Sequence, residues 1–395
     1  MISLNRETGI APRLLGIGTS VPRFSVENGV SAQFAAHSLC VGNSFDRKVK
    51  AIYRRSGVER RGSVLLAEEP GADVREHEFY PPAMSEADRG PSTKTRNDRF
   101  AQEAPSLARE AAQQALRSAD VKPEQVTHLV TVTCTGFFSP GIDISLIDDL
   151  GLPATTQRVQ VGFMGCHAAI NGLRTAAGLV AAEPDACVLM DCVELCSLHM
   201  QYGTDANRVV SNALFADGAS AAVIDAGSFD QRTLPSSNMS APSSEKSAPS
   251  SKKSATGHLV ATGSYLMPNS RDAMTWRIAD HGFEMTLSAA VPDLIEQNLV
   301  SFLRPWLAKQ GESIASIGGW AVHPGGPRIV SAVQTALDLS DEDLQIPRAV
   351  LGSRGNMSSA TMLFILQEFE RVDQPKPWLL MGFGPGLEIE VALIR

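Results

Sequence analysis

Val161-Gly-Phe-Met-Gly-Cys166-His-Ala-Ala-Ile170, with the small apolar residues that continue to Ala182, decides how this chain is read. A strand-like run ends in Gly162, a Gly-Cys pair makes a tight turn, and Ala, Leu and Gly then recur as in a buried helix. The strand-like run Cys187-Val-Leu-Met-Asp-Cys-Val follows. Outward from this unit the alternation continues. Arg13-Leu-Leu-Gly-Ile-Gly and Thr127–Cys134 read as strands, the second as a buried central one, with an amphipathic helix between them over Arg99–Ala119. In the second half, Leu287–Lys309 reads as helix, Gly319-Trp-Ala-Val as strand and Ser358–Glu370 as helix. Such alternation predicts an α/β architecture.

A faint repeat sharpens that expectation. Thr133-Cys134 and His323-Pro324 are 190 positions apart, and so are Gly165-Cys166 and Gly355-Asn356. In the second pair a Gly precedes a polar or reactive residue, which opens a small-residue helix. The spacing predicts a duplicated βαβ-type unit whose equivalent loops converge on one site.

The chain has 395 residues, beyond the roughly 250–300 at which one core stops growing, so two packed halves are expected. The expected boundaries are 1–234, an insertion over 235–256, and 257–395. The insertion is mostly Ser, Pro, Lys and Ala and has too little apolar surface to offset its ordering entropy. Its Ser243–Ser247 and Ser250–Ser254 runs read as a tolerated surface insertion, as modification sites or as a partner tail. A net charge of -8 argues against a nucleic-acid partner, which needs clustered Lys and Arg. No stretch of about 18 apolar residues is present, so no membrane span is expected. The N-terminus lacks the pattern of a secretory signal. Six cysteines are too sparse for a disulfide scaffold and predict reduced thiols in a cytoplasm.

Cys166 sits at a helix N-terminus, where the dipole and free N–H groups favour thiolate; a buried inert thiol is the alternative. His323, in Trp320-Ala-Val-His-Pro-Gly-Gly-Pro327, ends a strand where open α/β sheets place their sites, or else satisfies a loop. Asn356 opens a helix after Gly355, with its amide outward or as a cap. Together the three suit a thiol–imidazole pair with donors for a developing oxyanion, as in a cysteine hydrolase or a thioester acyltransferase. Cys192, Cys196 and His199 suggest a metal site. Read as a strand, however, Cys192 and Cys196 lie about 13 Å apart, and no second ligand pair appears. No metal is expected.

Five motifs identify a family: Gly165-Cys166, Leu214-Phe-Ala-Asp-Gly-Ala-Ser220, Trp320–Pro327, Arg354-Gly-Asn-Met-Ser-Ser-Ala360 and Gly382-Phe-Gly-Pro-Gly-Leu-Glu-Ile-Glu390. With them the sequence resembles the type III polyketide synthases of bacterial type, relatives of chalcone and stilbene synthase. The match runs along nearly the whole chain outside the insertion and the segment around Ala67–Arg96. The resemblance implies a thiolase-like duplicated αβαβα layered fold. It implies Cys166 as acyl acceptor, and His323 with Asn356 as the pair that decarboxylates malonyl-CoA. Phe215 falls on one family gatekeeper position and Met285 on the other, with Phe283 as the alternative. Lys48 and Arg55 fall where the family contacts CoA phosphates, although Ala51 stands at the intervening basic position; a solvated basic face is the other reading. Cys134, Thr135 and His199 fall on cavity positions, His199 replacing a small Thr. These differences speak against chalcone synthesis and for pyrone- or resorcinol-type products, and a flexible Met at the gate suits an aliphatic starter. The implied substrates are acyl-CoA and malonyl-CoA, with no other cofactor, in a homodimer. The alternatives are a single-extension enzyme like ketoacyl synthase III and a non-enzymatic acyl-CoA- or metal-binding scaffold.

Overall fold

The computed structural model describes residues 10–41, 46–67, 77–228 and 255–395. In the first half, β1 (Ile10–Ser20), β2 (Ser25–Glu27), α1 (Asn28–Ser38), α2 (Asp46–Arg54) and β3 (Arg60–Gly62) lead to the long α3 (Thr93–Ala119). Then come β4 (His128–Thr133), α4 (Ile142–Leu150), β5 (Gln157–Gly162), α5 (Ala168–Ala182) and β6 (Cys187–Leu195). This half closes with α6 (Ala206–Leu214) and β7 (Asp217–Ser228). The second half opens with β8 (Gly257–Leu266), the hairpin β9 (Met274–Ala279) and β10 (Gly282–Leu287), and α7 (Val291–Lys309). It continues with β11 (Gly319–Val322), α8 (Pro327–Leu337), α9 (Gln345–Arg354) and α10 (Thr361–Arg371), and ends with β12 (Trp378–Gly384) and β13 (Glu388–Ile394). The insertion expected over 235–256 lies, apart from its last two residues, outside the described residues.

Nine strands form one mixed sheet in the order β11-β12-β13-β8-β1-β7-β6-β4-β5. The duplication is visible in its pairings. From β4 through β6 and β7 to β1 they run parallel, antiparallel, antiparallel, and from β11 through β12 and β13 to β8 they repeat that series. The halves join where Arg13 and Leu14 of β1 pair with His258 and Gly257 of β8. Three apolar cores alternate with the two halves of the sheet. Leu129, Leu189 and Val223 face α3 on one outer side, and Leu379, Met381 and Val391 face α7 and α8 on the other. Between them Val130, Met190, Ala222, Leu380 and Ala392 enclose α5 and α10. Strand alternation produces this arrangement, since neighbouring residues such as Leu129 and Val130 enter different cores. It is the expected thiolase-like αβαβα layering.

The middle layer explains the composition of α5. Ala168, Ala169, Ala176 and Ala177 are fully buried, and a Cβ at Gly172 would come within 2.7 Å of Met190 Sδ and 2.9 Å of Val132 Cγ2. Only small residues let a helix lie between two sheet faces this closely. Two expectations need correction. Thr127–Cys134 forms β4, which is buried throughout yet one strand in from the sheet edge. Burial follows from helices covering both faces, not from a central place. Leu287 ends β10, and the helix expected from there begins at Val291 after a turn.

Candidate active site

β4 and β11 end at Thr133 and Val322, so Cys134 and His323 stand at equivalent carboxyl ends. Two loops close on them. Gly165 adopts φ +84, and a Cβ there would meet Pro385 Cδ at 2.4 Å. Glycine is therefore required, both for the turn that presents Cys166 and for contact with the Gly382–Gly386 loop. His167 is the N-cap of α5, which places Cys166 one residue ahead of the helix. Gly355 (φ +76) ends α9 and turns the chain so that Asn356 forms a parallel bridge with Phe215. The Asn356 N–H donates to the Leu214 carbonyl at 2.9 Å, and Ala216 N–H donates back to the Asn356 carbonyl at 2.9 Å. Held this way, Asn356 directs its amide nitrogen at Cys166 Sγ across 4.0 Å, while its Oδ1 accepts from Ser358 N–H at 2.8 Å.

The Asn356 side chain thus stands between two expected site residues, reaching Cys166 and acting on His323. His323 is 1% exposed, and neither ring nitrogen makes a regular hydrogen bond. Burial drives its pKa down to about 3, with His167 pushing the same way and the Asn356 amide opposing. Burial likewise pushes the Cys166 thiol up to about 11, against the Ser358 and Asn356 side chains. Desolvation thus works against the thiolate expected at a helix N-terminus, and the resting pair is thiol and neutral imidazole. Cys134 packs beside this centre, its Sγ accepting the Gly165 N–H at 3.1 Å.

Cys166 opens onto a chamber of about 40 Å³ shared with Cys134, Thr135 and Ser358. Next to it lies a cavity of about 490 Å³ lined by apolar side chains of α1 together with Leu65, Met200 and Phe283. Cys196, Phe215, Trp276 and Met285 border both spaces and make up the wall between them. Phe215 follows α6, with its carbonyl held by the buried Arg61 guanidinium at 3.1 Å. Met285 and Trp276 are cross-strand partners in the β9–β10 hairpin. Phe283, the alternative to Met285, lies fully buried, stacked on His199 at 4.2 Å, and borders the larger cavity alone.

Thr135 and His199 have no free polar group to offer a ligand. The Thr135 hydroxyl donates to Glu194 Oε2 at 2.8 Å. His199 donates from Nε2 to the Thr135 carbonyl at 2.7 Å and accepts Phe283 N–H at Nδ1, and burial lowers its pKa to about 3. Lys48 and Arg55 are not brought to the cavity. Lys48 stands exposed on α2 and Arg55 just beyond it, while the same helix gives Tyr53 to the cavity wall. Among the described residues no group of three or more His, Cys, Asp or Glu side chains is placed to hold a metal ion. Cys196 and His199 fall on a short 3-10 turn after β6.

Three contributors escape a reading of the sequence. Trp276 joins the wall and donates its indole N–H to the Cys134 carbonyl at 2.8 Å. Glu194, fully buried, accepts from Cys134 N–H, Thr135 and Ser359, tying the end of β4 to the loop that holds Asn356. Ser358 (φ +47) borders the Cys166 chamber.

Comparison with known proteins yields one family. Residues 3–228 match the N-terminal domain of the chalcone and stilbene synthases, and residues 258–395 match their C-terminal domain. Among curated relatives, the alpha-pyrone synthesis polyketide synthase-like Pks18 of Mycobacterium tuberculosis is 29% identical over 382 residues, 95% of this chain and 88% of that one. The 3,5-dihydroxyphenylacetyl-CoA synthase of Streptomyces toyocaensis is 30% identical over 390 residues, covering 97% and 90%. Among solved structures, PKS-I of the brown alga Ectocarpus siliculosus superposes with a TM-score of 0.84 at 30% identity, over 99% of this chain and 100% of that one.

Proposed function

Because the chain belongs to the chalcone and stilbene synthase family and is a type III polyketide synthase, an acyltransferase-type condensing enzyme, we propose the following course for its reaction. An acyl-CoA starter acylates Cys166, malonyl-CoA is decarboxylated beside it, and the enolate condenses with the acyl-enzyme; the cycle repeats before the chain cyclises. The observation that carries this reading is the approach of the Asn356 amide to Cys166, which opens onto a chamber that Phe215, Trp276 and Met285 wall off from a much larger cavity.

His323 acts as general base while Cys166 attacks the starter thioester, since the resting pair is neutral. The thiol proton leaves with CoA as its thiol. Asn356 and His323 then donate to the thioester oxygen of malonyl-CoA, which gains negative charge as CO2 departs, and the enolate carbon displaces Cys166 from the acyl group. Phe215, Met285 and Trp276 separate the nucleophile from the space for the growing chain. Met285, unbranched and flexible, lets an aliphatic starter pass. Pyrone- or resorcinol-type closure is favoured over chalcone-type by the names of the two bacterial relatives and by the ring of His199 in the wall. Lys48 and Arg55, both exposed and outside the cavity, contact the CoA phosphates in this reading. No cofactor beyond the CoA thioesters takes part, so dialysis against EDTA leaves turnover unchanged.

The active form is a homodimer. Its support is the exposed edge strand β5 with Val159, leading into Phe163, whose ring packs on the 47% exposed Phe137. The setting is the cytoplasm, in keeping with six unpaired thiols; no described helix is long and apolar enough to cross a membrane. Product masses from the purified protein with malonyl-CoA and a panel of acyl-CoAs test the reading. Several malonyl units per product are expected; one unit per product, or no CO2 release, overturns it.

A further inference from the structure

Next to Cys166 lies a second buried imidazole that the reaction above does not use. His167 is 1% exposed, and its ring rests on β12: a Cβ at Gly382 would meet its Cβ at 2.8 Å, and one at Gly384 would meet its Nε2 at 2.2 Å. Its Nδ1 is 2.8 Å from Asn171 Oδ1. Asn171 uses its own amide nitrogen to donate to Glu390 at 3.0 Å, so Oδ1 is the acceptor and His167 carries its proton on Nδ1. The chain continues beyond Glu390, which also accepts from Arg174 at 2.7 Å and Ser264 at 2.8 Å.

That tautomer leaves a bare lone pair on Nε2, which has no hydrogen-bond donor and stands 3.6 Å from Glu388 Oε2. A lone pair facing a carboxylate is a poor contact until a proton enters between them, when it becomes an ion pair. His323 lacks any such arrangement: the groups acting on it are His167 and the Asn356 amide. Two imidazolium ions in one dry pocket repel strongly, so the first to form opposes the second.

We propose that His167 is a positioning residue acting through His323: facing Glu388, it takes the site's first proton on acidification, and its charge keeps His323 neutral. The groups around it agree with that order. From β13 Glu388 and Glu390 favour the cation, from α5 Asn171 supports it while Arg174 opposes it, and from the end of β11 His323 competes for it. Burial lowers the pKa of both rings, and only His167 has a carboxylate facing its free nitrogen. The consequence for turnover rests on the reading of His323 as the general base for Cys166, which must be neutral to accept the thiol proton.

Histidine-labelled protein titrated by NMR tests the order without any turnover, with wild type, His167→Phe and His323→Asn used to assign the signals. In the wild type the His167 ring is expected to titrate at higher pH than His323. In His167→Phe the His323 titration is expected to rise by about half a pH unit or more, and the acid limb of Cys166 acylation by the starter to rise with it. Glu388→Gln, which leaves the ring in place, shifts both in the same direction by less and serves if the Phe variant does not fold. His323 titrating first in wild type, or unmoved in the variants, overturns the proposal. So does a Cys166 acylation rate reduced at every pH with its limb unmoved, the mark of a purely structural ring. Absence of CO2 release from the wild type sinks the function assigned above, while the ring titrations still decide the charge order.

Discussion

The Asn356 amide nitrogen lies 4.0 Å from Sγ of Cys166, a residue 190 positions earlier, and the backbone of Asn356 is bridged to Phe215. One residue therefore joins the nucleophile to the wall of the cavity. Its backbone bonds to Leu214 and Ala216 do not depend on the side chain, so the amide can be removed while the loop keeps its place. Asn356→Ala is expected to lower malonyl-CoA decarboxylation by about 10²-fold, the usual cost of one oxyanion donor. Acylation of Cys166 by the starter, read by intact mass, should fall far less. The reverse order of effects would count against the role given to the amide.

Cys166→Ala should abolish acyl-enzyme formation while some malonyl-CoA decarboxylation remains, because the donors of His323 and Asn356 are untouched. With burial holding the thiol near pKa 11, inactivation of the wild type by iodoacetamide should rise about tenfold per pH unit between pH 7 and 9. A plateau below pH 8 would show a preformed thiolate instead.

Wall residues set which starters pass. Met285 borders both the Cys166 chamber and the 490 Å³ cavity, opposite Trp276 on the hairpin. Met285→Phe puts a rigid ring where a flexible chain stood. Turnover of long-chain acyl-CoA is expected to drop by about tenfold, with acetyl-CoA and malonyl-CoA decarboxylation little changed. Equal losses for every starter would remove Met285 from the gate.

Much of this site can be read in the sequence because Gly and Pro mark its turns. Gly165 before Cys166, Gly355 before Asn356 and Pro324-Gly-Gly-Pro327 after His323 signal strand-to-loop and loop-to-helix junctions, and the equal spacing signals the duplication. Trp276 is not legible in this way, since it reaches the wall through the register of β9 against β10, which neither strand's own pattern specifies. Glu194 reads as an ordinary polar residue until three donors from two segments, at Cys134, Thr135 and Ser359, are seen to meet on it. The protonation state of Cys166 is illegible for a related reason. A helix end is visible in sequence, but the burial that opposes it comes from Pro385 and the β9–β10 hairpin around the chamber.

Keeping His323 neutral has a consequence for stability. Its pKa of about 3 in the fold lies below the ordinary value of about 6.5 that the unfolded chain shows. Between those values the unfolded state binds more protons, so stability is full above about pH 6.5 and is lost as pH falls through the window. His199, also held near 3, acts with the same sign. Asp217 opposes them: burial raises its folded pKa to about 6, so its contribution is present at low pH and lost as pH rises toward 6. At pH 5 one neutral buried His costs the fold about 2 kcal/mol, from 1.5 units between its unfolded pKa and the pH. His323→Asn removes that titration, and the ring gives up no regular hydrogen bond. Urea unfolding at pH 7.5 and pH 5.0 should therefore show the wild type losing about 2 kcal/mol more than the variant between the two pH values. An identical loss in both proteins would mean that His323 is already protonated in the folded chain at pH 5, and with it the neutral resting pair would fall.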